Sequence, residues 1–399
     1  MNAASAGARG ADVRSDAWIQ VEPLEAGGVE VTLRSKVDAL YGRSIREQIA
    51  RGCAALGVKH AKVTVEDQGA CPFVLDARLE AAVRKLGVDP GDALLPEMLP
   101  ANREPSLRER ARRSRVYLPG STPKFLLNAA LHHPDGVILD LEDSVAPSEK
   151  LDARILVRNA LRFLDWGDCE RMVRINQRES GVDDLPFVVG HGAQLVLIPK
   201  VERPEEVIAV AEAAAELAPD DPPWLIPILE SARGVLAAEA IASSHPTVVA
   251  LTIGLEDYTA DLGAERTAGG RESFWARSQV VAAARSAGVT PIDSVYSDVD
   301  DLDGLREAVR EARSLGFEGK GCIHPRQIRV VHESFAASAG ELDRAKRIVL
   351  AYDHALARGL GVVSLGSKMI DAPVVKRAQR LVETEVRLGR LAADWREHA

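Results

Sequence analysis

Three short apolar runs in this chain of 399 residues end on carboxylates. Val137-Ile-Leu-Asp140-Leu closes on Glu142 and Asp143. Ile226-Pro-Ile-Leu closes on Glu230. Leu251-Thr-Ile-Gly254-Leu closes on Glu256 and Asp257, with Asp261 one helical turn on. Acids gathered from neighbouring strand ends suit a hard cation such as Mg2+, which takes one or two protein carboxylates and fills its other positions with water and substrate oxygens. Arg174 stands between apolar neighbours in Met172-Val-Arg-Ile-Asn176. A guanidinium there is costly without an anion, and its planar fork suits a carboxylate. Lys200 follows Pro199 at another run end and reads as a Schiff-base lysine or as a point charge. Together these residues suggest chemistry on a metal-bound anionic substrate. Each also has a structural reading. Acids at strand ends cap helices or pair with arginines, Arg174 suits an ion pair, and His324 in Cys322-Ile-His-Pro suits a buried structural histidine as well as a catalytic one. Cys322 reads as core. Lys150 and Arg154, one helical turn apart, either pair with the acids or meet a phosphate.

Such side chains need a scaffold that brings strand ends together. Eight apolar runs, at 115–119, 136–141, 172–176, 194–200, 225–230, 248–257, 289–295 and 320–324, each end in a polar cluster and precede a stretch able to form a helix. Eight β–α units in succession predict an α/β fold, a (β/α)8 TIM barrel, with its active site at the C-terminal strand ends. The first unit, Tyr117-Leu-Pro119-Gly-Ser-Thr-Pro-Lys124, is a strand, a tight turn and a helix start whose free N–H groups can receive an anion such as phosphate.

The rest of the chain divides by composition. Residues 1–12 read as a flexible tail. Residues 13–88 read as a small N-terminal α+β domain, with strands near 18–21, 29–33 and 62–66, a helix at 45–56 stopped by Gly57, a further strand at Phe73-Val-Leu75, and a helix at 79–86. Residues 89–113 hold four prolines and a basic run, and read as a linker. The barrel takes 114–338. A C-terminal helical extension takes 339–399, with a capping-box helix opening at Ser338-Ala-Gly-Glu341, a glycine-rich loop at 359–366 and a last helix entered at Pro373.

Composition excludes some functions. A net charge of −9 argues against a nucleic-acid binder. No apolar run reaches the roughly 18 residues of a membrane span, and the first ten residues lack the apolar core of a signal peptide. A cytoplasmic protein with neither nucleic acid nor membrane as partner is expected. Cys53, Cys71, Cys169 and Cys322 fall at no metal-ligand spacing, so neither a zinc site nor a disulfide framework is indicated.

From about 114 to 385 the sequence resembles the aldolase/citrate lyase superfamily, close to citrate lyase beta subunits and to citramalyl-CoA and malyl-CoA lyases. Seven stretches carry the likeness in order: Arg115-Val-Tyr-Leu-Pro-Gly, Val137-Ile-Leu-Asp-Leu-Glu-Asp-Ser-Val-Ala-Pro, Val173-Arg-Ile-Asn, Leu197-Ile-Pro-Lys-Val-Glu, Pro227-Ile-Leu-Glu-Ser-Ala-Arg-Gly, Gly254-Leu-Glu-Asp-Tyr and Gly316-Phe-Glu-Gly-Lys-Gly-Cys-Ile-His-Pro-Arg-Gln-Ile. The resemblance implies that Glu230 and Asp257 hold Mg2+, that Glu142 and Asp143 support the metal's waters, and that Arg174 contacts a keto acid. It places the CoA thioester near Tyr117, Pro119 and Lys124 of the first βα turn, with Lys150 and Arg154. It also implies a homotrimer or hexamer. Leu365-Gly-Ser-Lys-Met-Ile-Asp371-Ala-Pro resembles a loop whose aspartate acts as acid/base, often at an adjacent subunit. Read without the resemblance, Asp371 is the N-cap before Pro373.

The N-terminal domain resembles the citrate lyase acyl carrier (gamma) subunit through Gly57-Val-Lys-His-Ala-Lys-Val-Thr-Val-Glu-Asp-Gln-Gly-Ala and Val74-Leu-Asp-Ala-Arg-Leu-Glu-Ala. The carrier's prosthetic serine lies two residues before an aspartate. Here Val13-Arg14-Ser15-Asp16 puts arginine at that place, with Ser15 one position off. That leaves open a phosphopantetheine-type group on Ser15 or a packing and docking module without one. The activity expected from the resemblance is Mg2+-dependent cleavage of a 3-hydroxy-3-carboxyacyl thioester, of the citramalyl-CoA, citryl-CoA or malyl-CoA type, to a keto acid and an acyl thioester. Its rivals are a citryl-acyl-carrier lyase acting on a thioester tethered to its own N-terminal domain, with a transferase partner subunit, and a non-catalytic CoA-ester-binding protein.

Overall fold

The computed structural model describes residues 3–87, 93–358, 363–365 and 368–396. The chain divides into two units, Met1–Val331 and His332–Ala399. The first begins with a four-stranded sheet of β1 (Ala4–Ala6), β2 (Ala17–Pro23), β3 (Val29–Ser35) and β4 (Ala61–Asp67), in the order β1-β2-β4-β3. Alternation sets its faces: Ile19, Val21, Val63 and Val65 are buried while the residues between them are not. The helix Asp38–Ala55 returns the chain from β3 to β4, which run parallel. Two expectations change. Residues 4–6, placed in a flexible tail, pair antiparallel with β2; three small residues are too few to show an alternation. Phe73-Val-Leu75, expected as a strand, is the first turn of the helix Pro72–Arg84, with Pro72 at its start. That helix is buried on nearly every side, between the sheet and the barrel helix Lys150–Phe163, so it lacks the polar stripe that marks an amphipathic helix.

This domain is held to the barrel by buried charge. Glu80 accepts two hydrogen bonds from the Arg158 guanidinium, at 2.6 and 3.0 Å. Asp16 is paired bidentately with Arg78, whose Nη2 also donates to the Ser121 carbonyl in the first βα turn of the barrel at 2.8 Å. Removing one partner of such a pair costs about 3–5 kcal/mol. Residues 93–113, expected as a linker, are themselves packed. Asn102 Nδ2 donates to the carbonyls of Leu161, Arg162 and Leu164 at the end of Lys150–Phe163. Arg112 and Glu170, both fully buried, form a bidentate pair at 2.7 Å.

The eight runs form a closed parallel barrel: β5 (Ser114–Pro119), β6 (Gly136–Asp140), β7 (Glu170–Arg174), β8 (Leu195–Ile198), β9 (Trp224–Leu229), β10 (Ala250–Ile253), β11 (Thr290–Asp293) and β12 (Gly319–Cys322). Closure comes from β12 against β5, with Cys322 beside Val116. A parallel barrel buries both faces of each strand, which is why these runs are continuously apolar. Ile138, Met172, Leu197, Ile226, Ile228 and Ile292 are among the residues that fill a common core. The largest shortfall is in the sixth run, expected at 248–257. The sixth strand stops at Ile253, and Glu256 and Asp257 lie in the first turn of the helix Leu255–Leu262.

The second unit packs the helix Ala339–Ala357 against Ala372–Arg387 through Ile348, Val349, Val375, Ala378 and Val382, with Trp395. Ser338 and Glu341 form the expected capping box. β13 (Val363–Leu365) pairs antiparallel with β14 (Lys368–Ile370). The rest of the glycine-rich stretch, 359–362 and Gly366, and Ser367 of the tail motif lie outside the described residues. Among the described residues no helix is long and apolar enough to cross a membrane.

Candidate active site

The polar ends of β6 to β10 converge on one mouth of the barrel. Asp140, the last residue of β6, is buried, and the chain winds around it: its carboxylate accepts from the backbone N–H groups of Glu142 (3.0 Å) and Ser144 (3.2 Å). Lys150 Nζ clamps the same turn from outside by donating to the carbonyls of Leu141 (2.7 Å) and Glu142 (2.6 Å). The turn thereby presents Glu142 and Asp143 to the mouth. Parallel pairing of β6 with β7 sets Asp140 beside Arg174. Their side chains lock bidentately, Nε to Oδ1 at 2.6 Å and Nη2 to Oδ2 at 2.7 Å. Arg174 Nη1 remains on the site side, 2.8 Å from Glu142 Oε2 and 3.6 Å from Asp143, and the guanidinium lies over the Tyr117 ring at 5.3 Å. Burial works against the Asp140 anion, but the Arg174 fork outweighs it and holds the carboxyl below its ordinary value.

Glu230 follows β9 directly and is 5% exposed. Its Oε2 is buried with no hydrogen-bond partner among the described residues. Burial, reinforced by the nearby Asp257 charge, pushes the Glu230 carboxyl up to about 8. Asp257 is half exposed at the lip. A buried carboxylate oxygen without a donor, next to a second carboxylate, suits a hard cation, and the oxygen donors suit Mg2+. Among the described residues no three His, Cys, Asp or Glu side chains gather as a metal-holding group. Glu230 and Asp257 would therefore leave most positions of an ion to water and substrate.

Lys200, just past β8, points its ammonium into this ring. Nζ lies 3.3 Å from Glu142, 3.6 Å from Asp143 and 3.6 Å from Asp257. Burial by itself would lower the ammonium pKa, but the three carboxylates raise it above its ordinary value. The ring opens into a cleft of about 960 Å3 whose lining includes Asn176, Arg178, Lys200, Glu230, Asp257 and Asp261. Two carboxylates and an ammonium in one cleft, with the Arg174 guanidinium reaching Glu142 beside Lys200, can hold a small oxyanion together with a cation.

The expected site residues thus fall into two groups. Glu142, Asp143, Arg174, Lys200, Glu230 and Asp257 share the mouth, with Tyr117 beneath Arg174 and Lys150 behind the acidic turn. Pro119 ends β5 beside Asp140. Others have different partners. Arg154 is paired with Asp184 at 2.5 Å. Lys124 is exposed over the Phe125 ring. Glu256 bonds Arg266 and Ser297, Asp261 accepts from the Ala232 N–H at 2.8 Å, and His324 Nδ1 accepts from the Arg326 N–H at 3.2 Å. Cys322 is buried, with its thiol pushed up to about 12 by burial. In the second unit, Asp371 caps the helix Ala372–Arg387 by accepting from the Val374 N–H at 3.3 Å. Two contributors escaped the sequence reading. Gln177 donates to Glu142 Oε1 at 2.7 Å, and Asp184 holds the Asn176 backbone N–H at 2.6 Å. Neither ends an apolar run, the signal that marks Glu142, Glu230 and Asp257.

The family model described as HpcH/HpaI aldolase/citrate lyase matches residues 113–325, and the model described as Malonate decarboxylase delta subunit (MdcD), of acyl-carrier type, matches residues 4–86. Over 289 residues the chain is 38% identical to the citrate lyase subunit beta of Escherichia coli (strain K12), covering 70% of this chain and 95% of that protein. It is 37% identical over 280 residues to a (3S)-malyl-CoA thioesterase of Cereibacter sphaeroides (strain ATCC 17025 / ATH 2.4.3), covering 68% and 94%. Among solved structures, the protein CitE of Mycobacterium tuberculosis in complex with magnesium, acetoacetate and coenzyme A superposes with a TM-score of 0.58 at 32% identity, over 71% of this chain and 100% of that one.

Proposed function

Because the chain belongs to the HpcH/HpaI aldolase/citrate lyase family and is a carbon–carbon lyase of that family, we propose that it cleaves a 3-hydroxy-3-carboxyacyl-CoA thioester, of the malyl, citramalyl or citryl type, to a keto acid and an acyl-CoA. The observation that carries this reading is the unpartnered, buried Glu230 Oε2 beside Asp257, across the mouth from Arg174 and Glu142. Glu230 and Asp257 would hold Mg2+. Bound there, the ion supplies Lewis-acid polarisation of the substrate's hydroxyl and carboxylate oxygens.

The chain's own residues do the rest. Arg174, oriented by Asp140, presents Nη1 to the carboxylate of the departing keto acid. Glu142 and Asp143 accept hydrogen bonds from water at the site. The hydroxyl proton passes to Asp371, assigned on its motif and supplied by this or an adjacent subunit, or to a water of the site. The C–C bond then breaks, the hydroxyl carbon becomes the keto carbonyl, and the electron pair passes to the thioester enolate, which the same group reprotonates. No oxidant or second substrate is consumed. The thioester end is assigned to Tyr117, Pro119, Lys124 and Lys150; the pairing of Arg154 with Asp184 favours a structural role for that arginine. The buried Glu80–Arg158 and Asp16–Arg78 pairs favour a soluble CoA ester over one tethered at Ser15. The same reading expects a cytoplasmic homotrimer or hexamer.

The test follows keto acid and free CoA together, using malyl-, citramalyl- and citryl-CoA with and without Mg2+. The expected result is Mg2+-dependent keto acid release on at least one substrate, lowered roughly hundredfold or more in Glu230→Gln. Free CoA without keto acid would mean thioester hydrolysis and would overturn the reading. So would thioester binding with no turnover.

A further inference from the structure

We propose that the Lys200 ammonium is the resident cation of the acid ring, which a divalent ion displaces from Glu142 and Asp257 on binding. This rests on reading Glu230 and Asp257 as the divalent-ion pair. Four carboxylates, those of Glu142, Asp143, Glu230 and Asp257, face this mouth with two cations among them. Arg174 is committed to Asp140 and Glu142. Among the described residues, the one ion pair that Asp257 makes is with Lys200. The ammonium thus lies within 3.6 Å of acids from two separate elements, the turn after β6 and the helix after β10.

The backbone points the same way. Lys200 has φ of 52°, in the left-handed region that costs an L-residue and that glycine holds freely. A lysine there bears that cost while its ammonium gains three carboxylate neighbours. Lysine also suits a cation that must leave, because it is a point charge on a flexible stem and makes no bidentate lock. Its side chain is 31% exposed. Glu202, Glu205 and Glu206 line the same cleft and give the displaced ammonium another anionic neighbourhood. By contrast, Arg174 is fixed by its fork and would stay.

A resident cation has two consequences. It weakens the divalent ion's binding, since that ion must compete, and it keeps the acids from repelling one another before the ion arrives. Calorimetric titration of the full chain with Mg2+ tests both, using the wild type, Lys200→Met, Lys200→Gly and Glu230→Gln. Lys200→Met and Lys200→Gly are expected to bind Mg2+ roughly tenfold more tightly than the wild type, by removal of one like charge a few ångströms away. Without Mg2+, Lys200→Met is expected to melt below the wild type, and saturating Mg2+ is expected to close the gap. Lys200→Met removes the ammonium and keeps the strained backbone, whereas Lys200→Gly removes both, so the difference between the two isolates the strain. Equal or weaker Mg2+ binding by both Lys200 variants would overturn the proposal and leave the metal pair standing. Failure of the wild type to bind Mg2+ in a manner that Glu230→Gln abolishes would overturn the metal reading itself.

Discussion

A Cβ placed on Gly254 would lie 2.7 Å from Cγ of Glu230 and 2.9 Å from its Oε1. The glycine that follows β10 therefore supplies the space in which the Glu230 carboxylate stands. Gly254 also donates its N–H to the Leu229 carbonyl at 3.0 Å, which holds the two strand ends together. Gly254→Ala is expected to push Glu230 out of place and lower turnover by about 10–100-fold, with a stability cost of about 1–3 kcal/mol. Steady-state kinetics beside urea denaturation separates the two. Unchanged turnover in a folded variant would show that Glu230 needs no such placement.

Asp140 never reaches the cleft in this arrangement; it acts through Arg174. Asp140→Asn keeps the shape but removes the charge that locks the guanidinium. The expected outcome is a rise in KM for the thioester of roughly tenfold or more, with a smaller change in kcat, since orientation of the carboxylate is lost. Arg174→Lys should be worse, because an ammonium cannot hold Asp140 and a substrate carboxylate as a planar fork does. Equal KM values in Asp140→Asn and the wild type would remove Arg174 from the substrate's carboxylate.

Asp371 has two roles to separate, and asparagine separates them. As an N-cap, asparagine is about as good as aspartate, whereas alanine costs about 1 kcal/mol. As an acid/base, asparagine has no proton to exchange. Asp371→Asn is therefore expected to melt like the wild type and lose about 100-fold or more in turnover, while Asp371→Ala loses both. Wild-type turnover in Asp371→Asn would leave capping as its whole function.

A pH effect is expected away from the site. His191 packs with Arg162, Nη1 to Nδ1 at 3.2 Å, and burial, with the charges of Arg158 and Arg162, lowers its pKa to about 4. Its neutral form is the one the fold accepts. The contribution is therefore fully present above about 6.5, the ordinary histidine value, and is lost as pH falls toward about 4. Chemical denaturation between pH 7 and 4 should show a loss on the order of 1–3 kcal/mol that His191→Gln flattens. Parallel curves for the two proteins would dismiss it.

Much of the architecture is legible because its signals are local. Continuous apolar runs ending in Glu142, Glu230 and Asp257 mark buried parallel strands and their polar ends, and Ser338 with Glu341 marks a helix start, from the residues alone. Phe73-Val-Leu75 reads as a strand and is helical for a related reason: periodicity reports how many sides of a segment are buried, and a helix enclosed on all sides has none to report. The local pattern of the chain is enough for the barrel, its polar mouth and the residue types available there. Tertiary structure alone decided the partners. Asp140 meets Arg174 because β6 and β7 are neighbours in register, Lys200 reaches acids from two elements because the barrel closes, and Arg154 is drawn to Asp184 instead of the site. The strand pattern depends on near neighbours in the chain, whereas a charge pair depends on which elements end within a few ångströms of each other, and that is settled only when the whole barrel is assembled.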